Sequence, residues 1–133
     1  MFINRLINQT NAPLLERVVE FTQTRHRLIA DNIVNASTPG YRQKDLSVDS
    51  FNESLRKRLA VRREAPPGSV GFGDIESDVD HPRGGILFHD GNNRSMEQLM
   101  SEMSKNALTH NMAIELLRRQ FSSMENALKE RVS

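Results

Sequence analysis

Cysteine and tryptophan are absent from the 133 residues, and tyrosine occurs once. Without cysteine, neither a disulfide framework nor a thiolate metal site can form. Charge of one sign is not in excess either: 18 lysines and arginines face 17 aspartates and glutamates, a formal balance of +1. That balance supplies no strong field for nucleic acid or anionic lipid. No run approaches the roughly 20 apolar residues that cross a bilayer, so no direct membrane span is expected. The opening Met1-Phe2-Ile3-Asn4-Arg5-Leu6-Ile7 has no unbroken apolar stretch and no small-residue cleavage site, so a cleaved signal peptide is not expected.

Catalytic constellations are missing as well. No serine stands in a G-x-S-x-G setting, and the absence of cysteine removes the other common nucleophile. His81 and His89, flanked by Asp80 and Asp90, match no zinc spacing. Gly68-Ser69-Val70-Gly71-Phe72-Gly73 lacks the G-K-[ST] ending of a phosphate loop and reads as a turn. The expectation is therefore a protein with no catalytic residue, no metal, no cofactor and no small-molecule substrate.

Helical periodicity is what the chain does have. Phe2, Ile3, Leu6 and Ile7 form a short stripe, and Asn11 with Pro13 marks a new helix start. From there Leu15, Val18 or Val19, Thr22, His26, Ile29, Ile33 and Ala36 recur at steps of three and four, a seam suited to packing on another helix. That helix should stop near Asn35 to Ser37, because Thr38 precedes a proline and is pushed out of the α region. Pro39-Gly40 suits a type II turn, Asn35 suits a left-handed helix end, and Tyr41 can pack its ring with its hydroxyl in water. Asn32, a polar residue at the edge of the apolar face, is placed to fix register.

Residues 42–94 carry most of the glycine and proline and read as loop. Two exceptions stand out. Ser50-Phe51-Asn52-Glu53 has capping-box form and predicts a short helix over about 51–61. Residues 74–80, Asp-Ile-Glu-Ser-Asp-Val-Asp, alternate acidic and apolar positions and fit either a strand or an exposed loop. The basic cluster Arg56-Lys57-Arg58 and Arg62-Arg63 is better matched to such acidic loops, in this copy or another, than to nucleic acid, for which stacking aromatics are missing.

A second capping box at Ser95 and Gln98 opens the longest regular segment, running to about residue 131. Met96, Met103, His110, Leu117 and Met124 repeat at seven, and Met100, Ala107, Ile114, Phe121 and Leu128 repeat beside them, which is the pattern of a coiled-coil-like seam. The predicted fold is mainly α: two long terminal helices packing as an antiparallel coiled-coil-like hairpin, with a loop-rich middle. The division is 1–41 for the N-terminal helical region, 42–94 for the middle and 95–133 for the C-terminal helix. Leu15, Val18, Ile29, Ile33, Ile114, Leu117, Phe121 and Leu128 are the expected packing residues; Asn32, Asn35, Thr38, Pro39, Gly40 and Tyr41 form the turn motif. Two such helices cannot cover both faces of each other, so neighbouring copies or partners are expected to supply the missing surface.

The run Ala30-Asp31-Asn32-Ile33-Val34-Asn35-Ala36-Ser37-Thr38-Pro39-Gly40-Tyr41 resembles the signature of bacterial flagellar axial proteins of the rod and hook, A-N-N-I-A-N-A-x-T-P-G-Y. His89-Asp90-Gly91-Asn92, then Lys105-Asn106-Ala107-Leu108 and Leu116-Leu117-Arg118-Arg119-Gln120, resemble the proximal-rod members of that family. The R-x-Y-E-A-N run with which other rod and hook proteins end is absent. The resemblance implies a non-enzymatic structural subunit in the periplasmic rod of the flagellum basal body. It implies export through the flagellar export apparatus without a cleaved signal peptide, and self-assembly with other copies and with other rod and basal-body proteins to transmit torque. The competing class is a soluble helical adaptor or chaperone-like module with a methionine-rich groove.

Overall fold

A computed structural model describes residues 2–72, 87–89 and 94–132. The expectations attached to residues 74–80, to His81 and to the Asp90-Gly91-Asn92 turn lie outside the described residues, as does the side chain of His89. Among the described residues the chain runs through helices α1 (Phe2–Gln9) and α2 (Ala12–Val34), strand β1 (Lys44–Leu46), helix α3 (Val48–Glu64), strand β2 (Leu87–His89) and helix α4 (Met96–Val132). The architecture is mainly helical, with α2 and α4 packed along each other. Arg25 meets Glu102 and Thr22 meets Asn106, so position numbers fall on one helix as they rise on the other, and the pair is antiparallel. At 37 residues, α4 is about 55 Å long, against about 35 Å for the 23 residues of α2.

Local chemistry sets the boundaries. The break between α1 and α2 is closed by Thr10, whose Oγ1 accepts from the Ala12 amide at 3.2 Å, with Pro13 in the first turn of α2. Asn11 occupies the N-cap position without capping, because its Oδ1 accepts instead from the guanidinium of Arg62 at 3.0 Å. At the other end Asn35 is the C-cap, yet its φ of −98° is right-handed, which corrects the expected left-handed conformation. Its amide and its Nδ2 both donate to the Asp31 carbonyl, at 3.0 and 2.9 Å. That carbonyl is satisfied without a change of hand, and the reversal falls to the following turn. There the Tyr41 amide donates to the Thr38 carbonyl at 3.2 Å across Pro39 and Gly40, and Gly40 takes φ +77°, as the type II geometry requires.

The middle holds more regular structure than its composition predicts. Residues 44–46 pair antiparallel with 87–89, Asp45 opposite Phe88, a ladder too short to show as alternation. Helix α3 starts three residues before the expected cap: Ser47 is the N-cap, its Oγ accepting from the Ser50 amide at 3.2 Å, and Ser50 is already helical. Asp49 in its first turn and Arg62 and Arg63 in its last complement the helix dipole. Helix α3 presents Phe51 and Leu55 to a core shared with Phe21, Leu46 and Phe72, and Leu14, Val18, Leu28 and Leu59 pack around it. The Phe21 and Phe51 rings stack at 4.0 Å with 8° between their planes. The core thus lies between α2 and α3, on the side of α2 away from neither terminus but against the middle segment.

A second proline-glycine turn docks α1. The Ser69 amide donates to the Pro66 carbonyl at 3.1 Å, and Gly68 takes φ +77°. A Cβ on Gly68 would stand 2.6 Å from the Arg5 carbonyl oxygen, whereas one on Gly40 would meet nothing within 4 Å. Both sites pay the left-handed penalty for a substituted side chain, about 1–2 kcal/mol, but only Gly68 adds a backbone clash. Gly68→Ala is therefore expected to lower the unfolding free energy measured in urea by at least about 1 kcal/mol more than Gly40→Ala; equal losses would show that α1 does not rest on this turn.

Candidate functional site

The seam between α2 and α4 is half of what periodicity predicts and half something else. On α2, Ile29 is fully buried and Leu15, Val18 and Ile33 are half-buried, while His26 and Ala36 are exposed. On α4, Met103, His110, Leu117 and Met124 form a half-buried column, with Met96 exposed. The column beside it is not Met100, Ala107, Ile114, Phe121 and Leu128. It is Leu99, Asn106 and Ala113, each at most 3 % exposed. Ala107 and Ile114 are half-buried on the flank of the seam, and Met100 is 58 % exposed.

Asn106 and Ala113 earn their places by bonding and by size. The Asn106 Nδ2 donates to the Thr22 carbonyl at 2.7 Å, fixing the helices at one register, and Ala113 lets the backbones approach. The Thr22 hydroxyl lies 2.9 Å from the Val18 carbonyl, 3.0 Å from that of Val19 and 2.8 Å from Nδ1 of His110. A hydroxyl has one proton to give; where a helix carbonyl takes it, Nδ1 of His110 donates to Thr22 Oγ1, and in the other tautomer Nδ1 accepts it. Apolar periodicity cannot detect seam members of this kind.

At the closed end of the hairpin three polar side chains replace the missing backbone partners. Asn32, 0 % exposed, donates from Nδ2 to the Lys44 carbonyl at 2.7 Å and accepts on Oδ1 from the Lys44 amide at 3.0 Å and the Tyr41 hydroxyl at 3.1 Å. The Tyr41 hydroxyl is thus bonded to Asn32 rather than left to water. Gln43 repeats the device on Arg94, accepting from its amide at 2.8 Å and donating to its carbonyl at 3.1 Å. Beneath them the buried carboxylate of Asp45 accepts from Arg25 at 2.9 and 3.1 Å, from Arg94 at 2.6 Å and from the Leu46 amide at 2.7 Å. Arg25 also reaches Glu102 on α4 at 2.8 Å. Burial works against the Arg25 charge, but its bonds to Asp45 and Glu102 outweigh it and hold the guanidinium above its ordinary value. One buried cluster so ties α2, β1, the approach to α4 and α4 itself.

Two apolar stretches of α4 remain uncovered. Phe121 and Leu128 follow Ile114 at steps of seven along the flank of the seam, past the N-terminal end of α2, and they are 42 % and 47 % exposed; this corrects their expected packing within the chain. From Phe121 to Val132 only Met124 is even half-buried. Leu108, Met112 and Leu116, spaced at four, form a separate exposed ridge on another face. Among the described residues no group of three or more His, Asp or Glu side chains is placed to hold a metal ion, and no described helix is long and apolar enough to cross a membrane. What the surface offers is helix faces for packing.

No family model matches the chain. Among curated proteins it is similar to the flagellar basal body rod protein FlgB of Cereibacter sphaeroides, 32% identical over 114 residues that cover 80% of this chain and 84% of the relative. Proteins of the same name from Aquifex aeolicus and Bacillus subtilis are 24% and 25% identical, over 89% and 86% of this chain and 92% and 89% of their own lengths.

Two outcomes test the closed end. Asp45→Ala removes the carboxylate shared by buried Arg25 and half-buried Arg94 and is expected to cost about 3–5 kcal/mol in denaturant unfolding, against about 1 kcal/mol for Tyr41→Phe, which removes one hydrogen bond. The Tyr41 hydroxyl titrates above the ordinary phenol value, chiefly because it is desolvated and secondarily because of Asp31. Folding thus favours the neutral phenol: its contribution is complete below about pH 10 and disappears as pH rises through the folded value. Tyr41→Phe should remove that alkaline loss from the stability profile; an unchanged profile above pH 10 would refute the desolvation of the phenol in the folded chain.

Proposed function

Because this chain belongs to the flagellar basal body rod protein FlgB family, where the relatives are structural rod components, we propose that it enters the rod by packing its terminal helices against those of neighbouring subunits. The chain is a structural subunit of the flagellar basal-body proximal rod. In this reading residues 1–41 and 95–133 build the packed helical wall and 42–94 face lateral neighbours. Its partners are other copies of itself, other rod and basal-body proteins, and the flagellar export apparatus, which passes it to the periplasm without a cleaved signal peptide. It carries torque and performs no catalysis.

One observation carries the assembly step. On the part of α4 that extends past the end of α2, Phe121 and Leu128 stand seven apart and exposed, an apolar pair that the described residues leave uncovered. Each such side chain contributes about 1.5–3 kcal/mol when buried, so a second helix laid along the pair is stabilised there. Asn32, Asn35, Thr38, Pro39, Gly40 and Tyr41 act earlier in the chain, by fixing the angle at which the first wall helix gives way to the middle region.

Mass spectrometry of purified hook and basal-body particles should recover this chain with the other rod proteins; finding it only in the cytosol would favour the adaptor class. Phe121→Asp, at an exposed position, is expected to leave helicity and solubility unchanged and to reduce recovery in particles at least about tenfold, the equivalent of about 1.4 kcal/mol per contact. Ile114→Asp, on the half-buried flank, should do the same with a loss of monomer stability. Wild-type incorporation of Phe121→Asp would remove the pair from the assembly.

A further inference from the structure

A groove of about 540 Å³ lies where the N-terminal end of α2, the C-terminal end of α3 and the exposed ridge of α4 come together. Its apolar lining is Leu14, Leu15, Leu59 and Leu116, and it also carries Arg62, Arg63 and Arg119; among the described residues no acidic one lines it. Arg119 has a loose exposed partner in Glu115 at 3.6 Å. Among the described residues Arg62 is held by neutral groups: the Thr10 carbonyl at 3.2 Å, Asn11 Oδ1 at 3.0 Å and the ring face of Phe72 at 5.7 Å. Those contacts hold a positive charge at the groove. The groove therefore suits a segment that is apolar on one side and acidic on the other.

The chain contains one such segment. Residues 74–80 hold Asp74, Glu76, Asp78 and Asp80 in seven positions, with no basic residue, and Ile75 and Val79 fall at the intervening places. The acidic residues occupy every second position with Ile75, Ser77 and Val79 between them, an alternation that an extended partner strand would sort onto opposite sides on binding. No other seven-residue stretch of the sequence has four acidic residues. We propose that the groove receives residues 74–80 of a second copy of this chain, Ile75 and Val79 on the leucine lining and the carboxylates against Arg62 and Arg63. This deepens the assembly reading and rests on it. A segment-in-groove contact joins two different surfaces, so each bound copy still offers a free groove and a free segment, and the contact propagates instead of closing. Leu116 belongs to both the groove and the exposed ridge, which makes this contact continuous with the helix-packing surface.

The lack of native cysteine allows a direct test. In cells whose own copy is replaced, Leu116→Cys and Val79→Cys chains are produced together, and particles are isolated and oxidised. The expected result is a disulfide-linked pair, reduced about tenfold when Arg62→Glu and Arg63→Glu are added to the Leu116→Cys chain. Particles that contain both chains but link no more than a Val34→Cys and Val79→Cys control would overturn the groove and leave the rod assignment standing. Absence of the chain from particles even without substitution would overturn the rod assignment itself. A double variant, Leu116→Cys with Val79→Cys in one chain, that closes on itself rather than linking two chains would assign the groove to its own segment and defeat the second-copy proposal. Should the cysteine chains fail to incorporate, co-production of Arg63→Glu and Asp78→Arg chains supplies the second measurement: recovery above either alone supports the pairing, and no rescue refutes it.

Discussion

The carboxylate of Asp45 sits 3 % exposed between two guanidiniums, and the path of the chain depends on it. A buried anion is tolerated only when its charge is matched and its lone pairs are bonded. Arg25 must therefore come from α2, Arg94 from the approach to α4, and the Leu46 amide from the strand itself. Glu102 takes the remaining reach of Arg25 and brings in α4. Such a cluster adds little net stability relative to a hydrophobic one of equal size, yet it penalises every arrangement in which one member is missing. It selects a single way for the hairpin to close, and the bulk of the packing energy is then free to come from elsewhere.

The amide side chains of Asn32 and Gln43 extend that logic to the backbone. Where α2 ends and the chain doubles back, the groups of Lys44 and Arg94 need partners, and each amide supplies a donor and an acceptor in the geometry of a strand pair. Asn32 was readable from sequence as a register-setting residue, because a polar group at the edge of an apolar stripe has few other uses. Gln43 was not, since nothing local distinguishes a glutamine after a turn from a solvated one. The same holds for Arg25 and Asp45, whose partners lie 20 to 77 residues away in sequence. Helix extents, by contrast, were legible: the proline before Gly40, the Ser95 cap and an uninterrupted run without glycine or proline define α2 and α4 almost to the residue. The shift of the α3 start from Ser50 to Ser47 reflects two serines three apart, either of which can cap.

Reading the seam from apolar residues alone chose one correct column and one wrong one, and the error is informative. The true second column uses a leucine, an asparagine and an alanine, so this column is less hydrophobic than the one the apolar pattern selects. Asn106 gives register and Ala113 gives closeness; neither contributes much burial. The methionines, leucines and phenylalanine that would make a stronger two-helix core are placed instead on the flank and beyond the end of α2.

That distribution is what separates a subunit from a finished domain. A chain that spent its large side chains inside the hairpin would be more stable alone and would have less to gain from a neighbour. Here hydrogen bonds and ion pairs fix the geometry of the hairpin beside a modest apolar core, and several large apolar side chains of α4 stay exposed, where burial by a neighbour would be favourable. Geometry is settled before assembly and adhesion is withheld until it. A rod made of such parts inherits its straightness from the first class of contact and its cohesion from the second, and force passing along it loads many modest helix contacts in parallel while the closed end of each hairpin resists bending.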